Sequence, residues 1–300
     1  METRAYSPEM AEELAGPFNR LIHGLPHCNP ATTDEFEAAA RPEGPGEDGG
    51  PYRRLVAVEG GKLTGFMYAN VMPGEEGDDP PSGLIRFFWY DRGHRAAGQA
   101  LLDAAESHFR EHSVTEVTAF HRCHRFSVYH IRNASCSDRL EHLHALLHHN
   151  GYKRSDGEIY LDWPDYAPVA PQAVDIAHEV SVEWVEGAGS RANLRLKAIR
   201  EGAVVGECHC DSCGEYSRVD EAQDAIYTTW LGVDEDYAGK GLGTALLRQA
   251  LVEARSVGYQ RAVISTNQYN YRARVLYSNF GYRTSDWTYC QRREFDPVAT

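Results

Sequence analysis

Long hydrophobic runs are missing from this chain of 300 residues, and no apolar stretch approaches the ~18–20 residues of a membrane span. Its opening, METRAYSPEM, lacks a basic patch followed by an apolar core, so no signal peptide is expected. Basic charge is in short supply: 30 Lys and Arg stand against 44 Asp and Glu, a formal charge of −14. A nucleic-acid surface should be basic overall or carry a basic stripe, so neither nucleic acid nor a membrane is an expected partner. An acidic surface does concentrate small cations, which suits a cationic substrate, although solubility alone accounts for it. Cysteine is sparse and odd in number, with 7 residues. Without a secretory signal these read as reduced thiols, and a cytoplasmic location is expected. Cys208, Cys210 and Cys213 cluster, but structural zinc takes two C-x-x-C-like pairs, and only Cys290 or more distant cysteines could complete a set of four. Thiols at a strand end are expected there, and no metal. The apolar share of 42% and charged share of 25% are ordinary, which excludes disorder, collagen and coiled coil for the whole chain. The length suggests two domains or one large one.

What is present is a repeat. Leu55–Gly65 (LVAVEGGKLTG) and Leu196–Gly206 (LKAIREGAVVG) share L-x-A-[VI]-x-x-G-x-[LV]-x-G, an alternating pattern broken by a glycine turn, as in a β-hairpin. Downstream, Gly98-Gln99-Ala100-Leu101-Leu102 matches Gly243-Thr244-Ala245-Leu246-Leu247, and His149–Lys153 matches Asn279–Arg283. The offset falls from 145 to 130 between these two matches, so the first half holds 15 extra residues, around Arg122–Arg139. Three matches in one order imply two copies of one fold. The junction is the proline-rich Trp163–Gln172, which gives domains at residues 1–165 and 172–300.

The coarse pattern is α/β with a mixed sheet. In the second copy Ala225–Val233 reads as a strand, Thr244–Val257 as a helix and Arg261–Ser265 as a strand. Asn270–Asn279 reads as a further helix and Thr284–Gln291 as a last strand. The first copy adds helices at Pro8–Leu21 and Thr33–Ala40, the latter capped by Thr32 or Thr33. Arg41–Gly50 and Met72–Ser82 read as loops, and little room is left for leading helices between Gln172 and Leu194.

A strand, a glycine turn and a helix together make an anion site, because free N–H groups of the first helical turn face the ligand. The segment Ala238-Gly239-Lys240-Gly241-Leu242-Gly243 fits neither G-x-x-x-x-G-K-[ST] nor G-x-G-x-x-G, which excludes the Walker and Rossmann readings. It resembles the [RQ]-x-x-G-x-[GA] loop of the GCN5-related N-acetyltransferase (GNAT) superfamily, with Ala238 where Arg or Gln is usual. The later N-x-x-A-x-x-L-Y-x-x-x-G-[FY] motif of that family stands complete as Asn270, Ala273, Leu276, Tyr277, Gly281 and Tyr282. The resemblance covers most of Leu194–Arg293 and extends by the repeat, more faintly, to Tyr52–Trp163. It implies two tandem acyl-CoA N-acyltransferase folds, the first degenerate.

The resemblance further implies acetyl-CoA as cosubstrate and direct attack by a primary amine of a small molecule. Gly239, Lys240, Gly241, Leu242, Gly243 and Thr244, next to Ala238, would hold the diphosphate through backbone N–H groups. Leu231 and Val233 on the preceding strand, and Asn270 and Ala273 on the later helix, would also bind the cofactor, Asn270 by contacting the pantetheine arm or by ordering the adjacent strand splay. Tyr277 would protonate the departing thiolate, a role a phenol near pKa 10 fills when aligned or assisted. The base is not evident; Asp224 is a candidate, and Tyr227 and Thr229 could relay a proton through water. In the first copy Leu147 stands where the second has Tyr277, so that copy is expected not to turn over. His142, His144, His148 and His149 read as an exposed helix face, with His144 and His148 at metal-binding spacing. Two alternatives stay open: a non-catalytic acyl-CoA or metabolite-binding protein, and acetylation of a peptide or protein amine.

Overall fold

The computed structural model describes residues 1–41, 50–74, 79–168, 170 and 173–295. Parts of both loops and of the proline-rich junction (residues 42–49, 75–78, 169, 171 and 172), and the last five residues, lie outside the described residues. The chain forms two compact units, Met1–Glu158 with Trp287–Thr300, and Ile159–Asp286.

The first unit begins with β1 (Glu2–Ala5), α1 (Ala11–Ile22) and α2 (Thr33–Ala40). Ala11, Leu14, Ala15, Phe18 and Ile22 of α1 recur at helical spacing and are all buried. Thr32 caps α2: its hydroxyl accepts the Glu35 N–H at 3.2 Å, and the Glu35 carboxylate accepts the Thr32 N–H at 2.7 Å. The repeated hairpin follows as β2 (Tyr52–Glu59) and β3 (Lys62–Met72), then β4 (Ser82–Tyr90), α3 (Arg95–Glu111), β5 (Glu116–Ala119), β6 (Cys136–Ser137) and α4 (Glu141–His149). β7 (Lys153–Trp163) ends the first copy of the repeat.

The second unit carries an edge strand, β8 (Glu179–Val185), in the stretch too short for leading helices. The second hairpin is β9 (Asn193–Arg200) and β10 (Ala203–Ser212), followed by a short α5 (Asp220–Gln223). Then come β11 (Ala225–Val233), α6 (Leu242–Ser256), β12 (Arg261–Asn267), α7 (Tyr271–Phe280) and β13 (Arg283–Glu294).

Strand order is β1-β2-β3-β4-β5-β13 in the first unit and β7-β12-β11-β10-β9-β8 in the second. In each, one pair is parallel (β4 with β5, β11 with β12) and the hairpin pairs are antiparallel, so both sheets are mixed. The two C-terminal strands are divided. Of β7, Ile159–Trp163 belongs to the second unit; of β13, Trp287–Glu294 belongs to the first, where Arg293 faces Val117 of β5.

The cysteine cluster is a strand end. Cys208 and Cys210 are buried on β10 and Cys213 follows it, and burial pushes the Cys213 thiol up to about 12. His144 corrects the expectation of an exposed helix face. It is buried, with Nε2 3.0 Å from the Ser137 carbonyl and Nδ1 2.8 Å from Gln291 Nε2, so both ring nitrogens are committed within the core.

Candidate functional site

The site is built where two parallel strands stop pairing. β11 and β12 are in register from Ala225 opposite Arg261 to Thr228 opposite Ile264, and the pairing ends there. Residues 229–233 and 265–267 continue as strand past that point. A β-bulge marks the fork: Trp230 pairs His209 and Thr228 pairs Cys210, leaving Thr229 as the extra residue. Bulges of this kind bend a strand and re-aim its neighbours. Tyr227 is buried, and its hydroxyl lies 2.7 Å from Ser265 Oγ, a side-chain bridge between the strands at the fork. Thr229 Oγ1 donates to the His209 carbonyl at 3.2 Å. Leu231 and Val233 are half-buried on the freed half of the strand.

The glycine loop follows directly. Gly239 and Gly241 have φ of +76° and +87°, a region that favours glycine. Gly241 is the N-cap of α6 and contributes no side chain to it, so the amides of the first turn (Leu242, Gly243 and Thr244) keep their donors for a ligand. A Cβ at Gly239 would meet nothing within 4 Å, and one at Gly243 only the Val233 side chain at 3.4 Å. An open cavity of about 260 Å³ beside the loop is lined by Val174, Asp175, Lys240, Gly241, Thr244 and Arg248. Lys240 turns back on its own loop, its Nζ donating to the Asp236 carbonyl at 2.8 Å, so backbone rather than its ammonium faces the cradle. Arg248, one turn beyond Thr244, supplies a cation that the loop pattern does not reveal. These groups fit a diphosphate: oriented amides, a helix N-terminus and a basic side chain, with no Cβ in the way.

The helix carrying the second motif stands largely clear of the core. Tyr277 is its one buried residue, with its ring 6.2 Å from that of Tyr282. Asn270 caps α7, its side-chain oxygen accepting the Ala273 N–H at 3.2 Å. That commits both motif residues to starting the helix, and leaves the Asn270 amide NH2 without a protein partner among the described residues. Asp224 is not brought to the fork. It precedes the paired half of β11, about five residues or roughly 16 Å from Thr229. Its carboxylate pairs with Arg191 at 2.8 Å, and its carbonyl accepts the Gln260 and Arg261 amides, so it closes the strand end instead of facing the groove.

The first unit repeats the fork and fills it. β4 and β5 pair from Ser82/Glu116 to Ile85/Ala119, and Arg86 is the bulged residue. Phe87 then takes the place of Trp230. Trp230 is 57% exposed and Phe87 0%. Phe87 stacks on Phe126 (centroids 4.8 Å apart, 14° between planes) and touches Phe120 and Tyr129. These partners come from residues 120–140, the inserted stretch, where the second unit needs only 268–270. The far end of β4 is closed as well: the Tyr90 hydroxyl donates to the His142 carbonyl at 2.9 Å, and His142 Nε2 lies 3.3 Å from the Tyr90 carbonyl. A Cβ at Gly98, the counterpart of Gly243, would lie 2.3 Å from the Tyr90 ring.

The family model described as "Acetyltransferase (GNAT) family" matches residues 158–282, the segment that holds the fork, the loop and Tyr277. The match spans 125 of the 300 residues and makes that segment similar to the GNAT acetyltransferase family. The fold likeness runs further. A tandem GNAT protein from the clavulanic acid biosynthesis pathway is 15% identical with a TM-score of 0.67, covering 99% of both chains. A GCN5-related N-acetyltransferase from Sphaerobacter thermophilus is 15% identical with a TM-score of 0.60, covering 99% of this chain and 96% of its own. A glucosamine N-acetyltransferase region in a fungal multi-domain GH3 β-N-acetylglucosaminidase is 13% identical with a TM-score of 0.67; 97% of this chain aligns, over 38% of that protein's length. Comparison with curated proteins gives no match. The whole chain therefore has a tandem GNAT fold, as the internal repeat implies. No helix among the described residues is long and apolar enough to cross a membrane.

Proposed function

We propose that the chain is an acetyl-CoA-dependent N-acetyltransferase acting on a primary amine of a small molecule, with turnover confined to the second unit. Similarity to the GNAT family supports acyl transfer from an acyl-CoA to an amine. One observation carries the choice of unit: past the fork, β11 is solvent-accessible beside an open glycine cradle, while the same half-strand in the first unit is buried along its length.

Acetyl-CoA, when bound, supplies the acetyl group as a thioester. The amides of Leu242, Gly243 and Thr244 hold the diphosphate, and the unpaired edge of residues 229–233 offers backbone partners to the pantetheine amides. A backbone N–H of the freed strand at the fork stabilises the carbonyl oxygen as it becomes anionic. The amine attacks in its neutral form; the N–C bond forms, the C–S bond breaks, and the amine proton leaves to water. Tyr277 gives its phenolic proton to the departing sulfur and recovers one from solvent. Trp230 offers an exposed indole face beside the groove, which suits an acceptor carrying a second positive charge.

Thiol release from acetyl-CoA across a panel of small amines, diamines and amine-bearing peptides tests this reading. Small amines should be acetylated and peptides not. Tyr277→Phe should lower turnover by about 10²–10⁴-fold while keeping CoA affinity. CoA binding with no thiol release on any amine would favour the binding-protein alternative, and unchanged turnover in Tyr277→Phe would remove the phenol from its role.

A further inference from the structure

A second group of chemically capable side chains lies in the first unit, at the C-terminal end of α3. His108 and His112 are one helical turn apart, with Glu111 between them. One donor atom from each of the three lies within 4.8 Å of the others. The two imidazole rings meet edge to face, centroids 4.5 Å apart and planes at 67°.

The hydrogen bonds around these rings set their tautomers in a particular way. His112 Nδ1 is 2.8 Å from the His108 carbonyl, which can only accept, so Nδ1 carries the proton and Nε2 keeps its lone pair. His108 Nε2 is 3.4 Å from the Pro51 carbonyl, which by the same reasoning leaves the lone pair on Nδ1. His108 is 2% exposed, and that Nδ1 is buried with no hydrogen-bond partner among the described residues. A buried acceptor without a donor is costly in a native core and asks for an explanation. Each ring thus donates one N–H to a backbone carbonyl and holds out the other nitrogen, the arrangement that outer partners impose on metal-binding histidines.

We propose that His108 Nδ1, His112 Nε2 and the Glu111 carboxylate form a binding site for a zinc-class divalent cation, with a fourth position open to water. Two imidazoles and one carboxylate are an established ligand set for zinc, and imidazole favours the later first-row metals over Mg2+ or Ca2+. The C-terminal end of α3 adds the negative pole of its backbone dipoles. Arg53 opposes with a positive charge near His108, and Glu111 offsets it. Donor atoms around tetrahedral zinc sit roughly 3.3 Å apart, given bonds of about 2.0–2.2 Å. Closing from 4.8 Å therefore needs a movement of little more than an ångström, which the exposed Glu111 and half-buried His112 side chains can supply. The site is assigned binding only, with no catalytic step.

The test is calorimetric titration of the chelator-stripped full chain with ZnCl2. One equivalent should bind with micromolar affinity. Glu111→Gln and His112→Asn, both at the accessible end of the helix and checked for unchanged far-UV circular dichroism, should each weaken binding about tenfold or more, since even outer partners of metal ligands are worth about 10–100-fold. Cys123→Ser, at the one exposed cysteine among the described residues, should leave binding unchanged. Co2+ in place of zinc should give visible absorption of a low-coordinate ion, lost in His112→Asn. No binding to the parent chain, undiminished binding in Glu111→Gln and His112→Asn, or loss in Cys123→Ser would each overturn the assignment.

Discussion

Gly241→Ala separates the role of the glycine loop from mere loop stability. Gly241 caps α6 at φ +87° and ψ −6°. A residue with a Cβ gives up about 1–2 kcal/mol to hold that region. The added Cβ would lie 3.3 Å from Val174 Cγ1, a contact that a small shift relieves, so the effect is conformational rather than steric. Without ligand the alanine loop relaxes toward negative φ and turns the amides of residues 242–244 away. A bound diphosphate must draw them back against the same 1–2 kcal/mol, which corresponds to about a five- to thirtyfold loss of affinity. Gly202→Ala is the matched control. Gly202 has φ +82° in the β9–β10 turn, and nothing lies within 4 Å of its added Cβ. It carries the same strain with no anion site beside it, and should lower Tm by a few degrees, roughly 2–8 °C. Calorimetry with CoA reads the difference: weakened binding in Gly241→Ala and parental binding in Gly202→Ala. If Gly241→Ala binds CoA as tightly as the parent protein while Gly202→Ala shows the thermal cost, the amide cradle does not hold the diphosphate.

Phe126→Ala should destabilise the first unit by about 3–5 kcal/mol in urea unfolding, because a fully packed ring is lost. CoA stoichiometry should stay at one per chain, and a second equivalent would show that this ring alone closes the first fork. Thr32→Ala should cost about 1 kcal/mol through loss of the capping box and Thr32→Ser far less, read as Tm; equal losses in the two would exclude the cap as the cause. Burial lowers the pKa of His142 to about 4, below the 6.5 of a free imidazole. The unfolded chain therefore binds the extra proton first, so stability falls as pH drops from about 6.5 towards 4 and levels off below. His142→Gln should flatten that part of the pH–stability curve measured by urea unfolding; an unchanged slope would place the acid sensitivity elsewhere.

Local pattern carried much of this architecture. The strand expected at Ala225–Val233 has those bounds, and the flanking helices and strands shift by only a few residues. Each of those segments has one dominant period and a glycine or cap at its end, so local and tertiary preferences agree. The glycine loop was equally legible, since its positive φ angles demand the residue type seen in the sequence. What lay hidden depends on neighbours distant in sequence. Nothing in AIYTTWLGV announces that Thr229 is bulged or that pairing ends at Thr228, because both are properties of three strands together. Asp224 read as a plausible base from its place at a strand start, but which end of a parallel pair opens is not written in either strand alone. His144 looked solvent-facing among four histidines, and only Gln291 and the Ser137 carbonyl, far along the chain or across a turn, make its burial tolerable. Arg248 escaped notice because a helix face rich in apolar residues hides a lone cation that borders a cavity.

The assignment of Trp287–Glu294 to the first unit bears on how the polypeptide matures. During synthesis the opening 158 residues leave the ribosome long before their final strand exists. Until release, β5 presents a bare edge of the kind that recruits foreign strands and seeds aggregation. A nonsense codon near residue 286 would thus spare every residue proposed for catalysis and yet leave the earlier-made half unfinished.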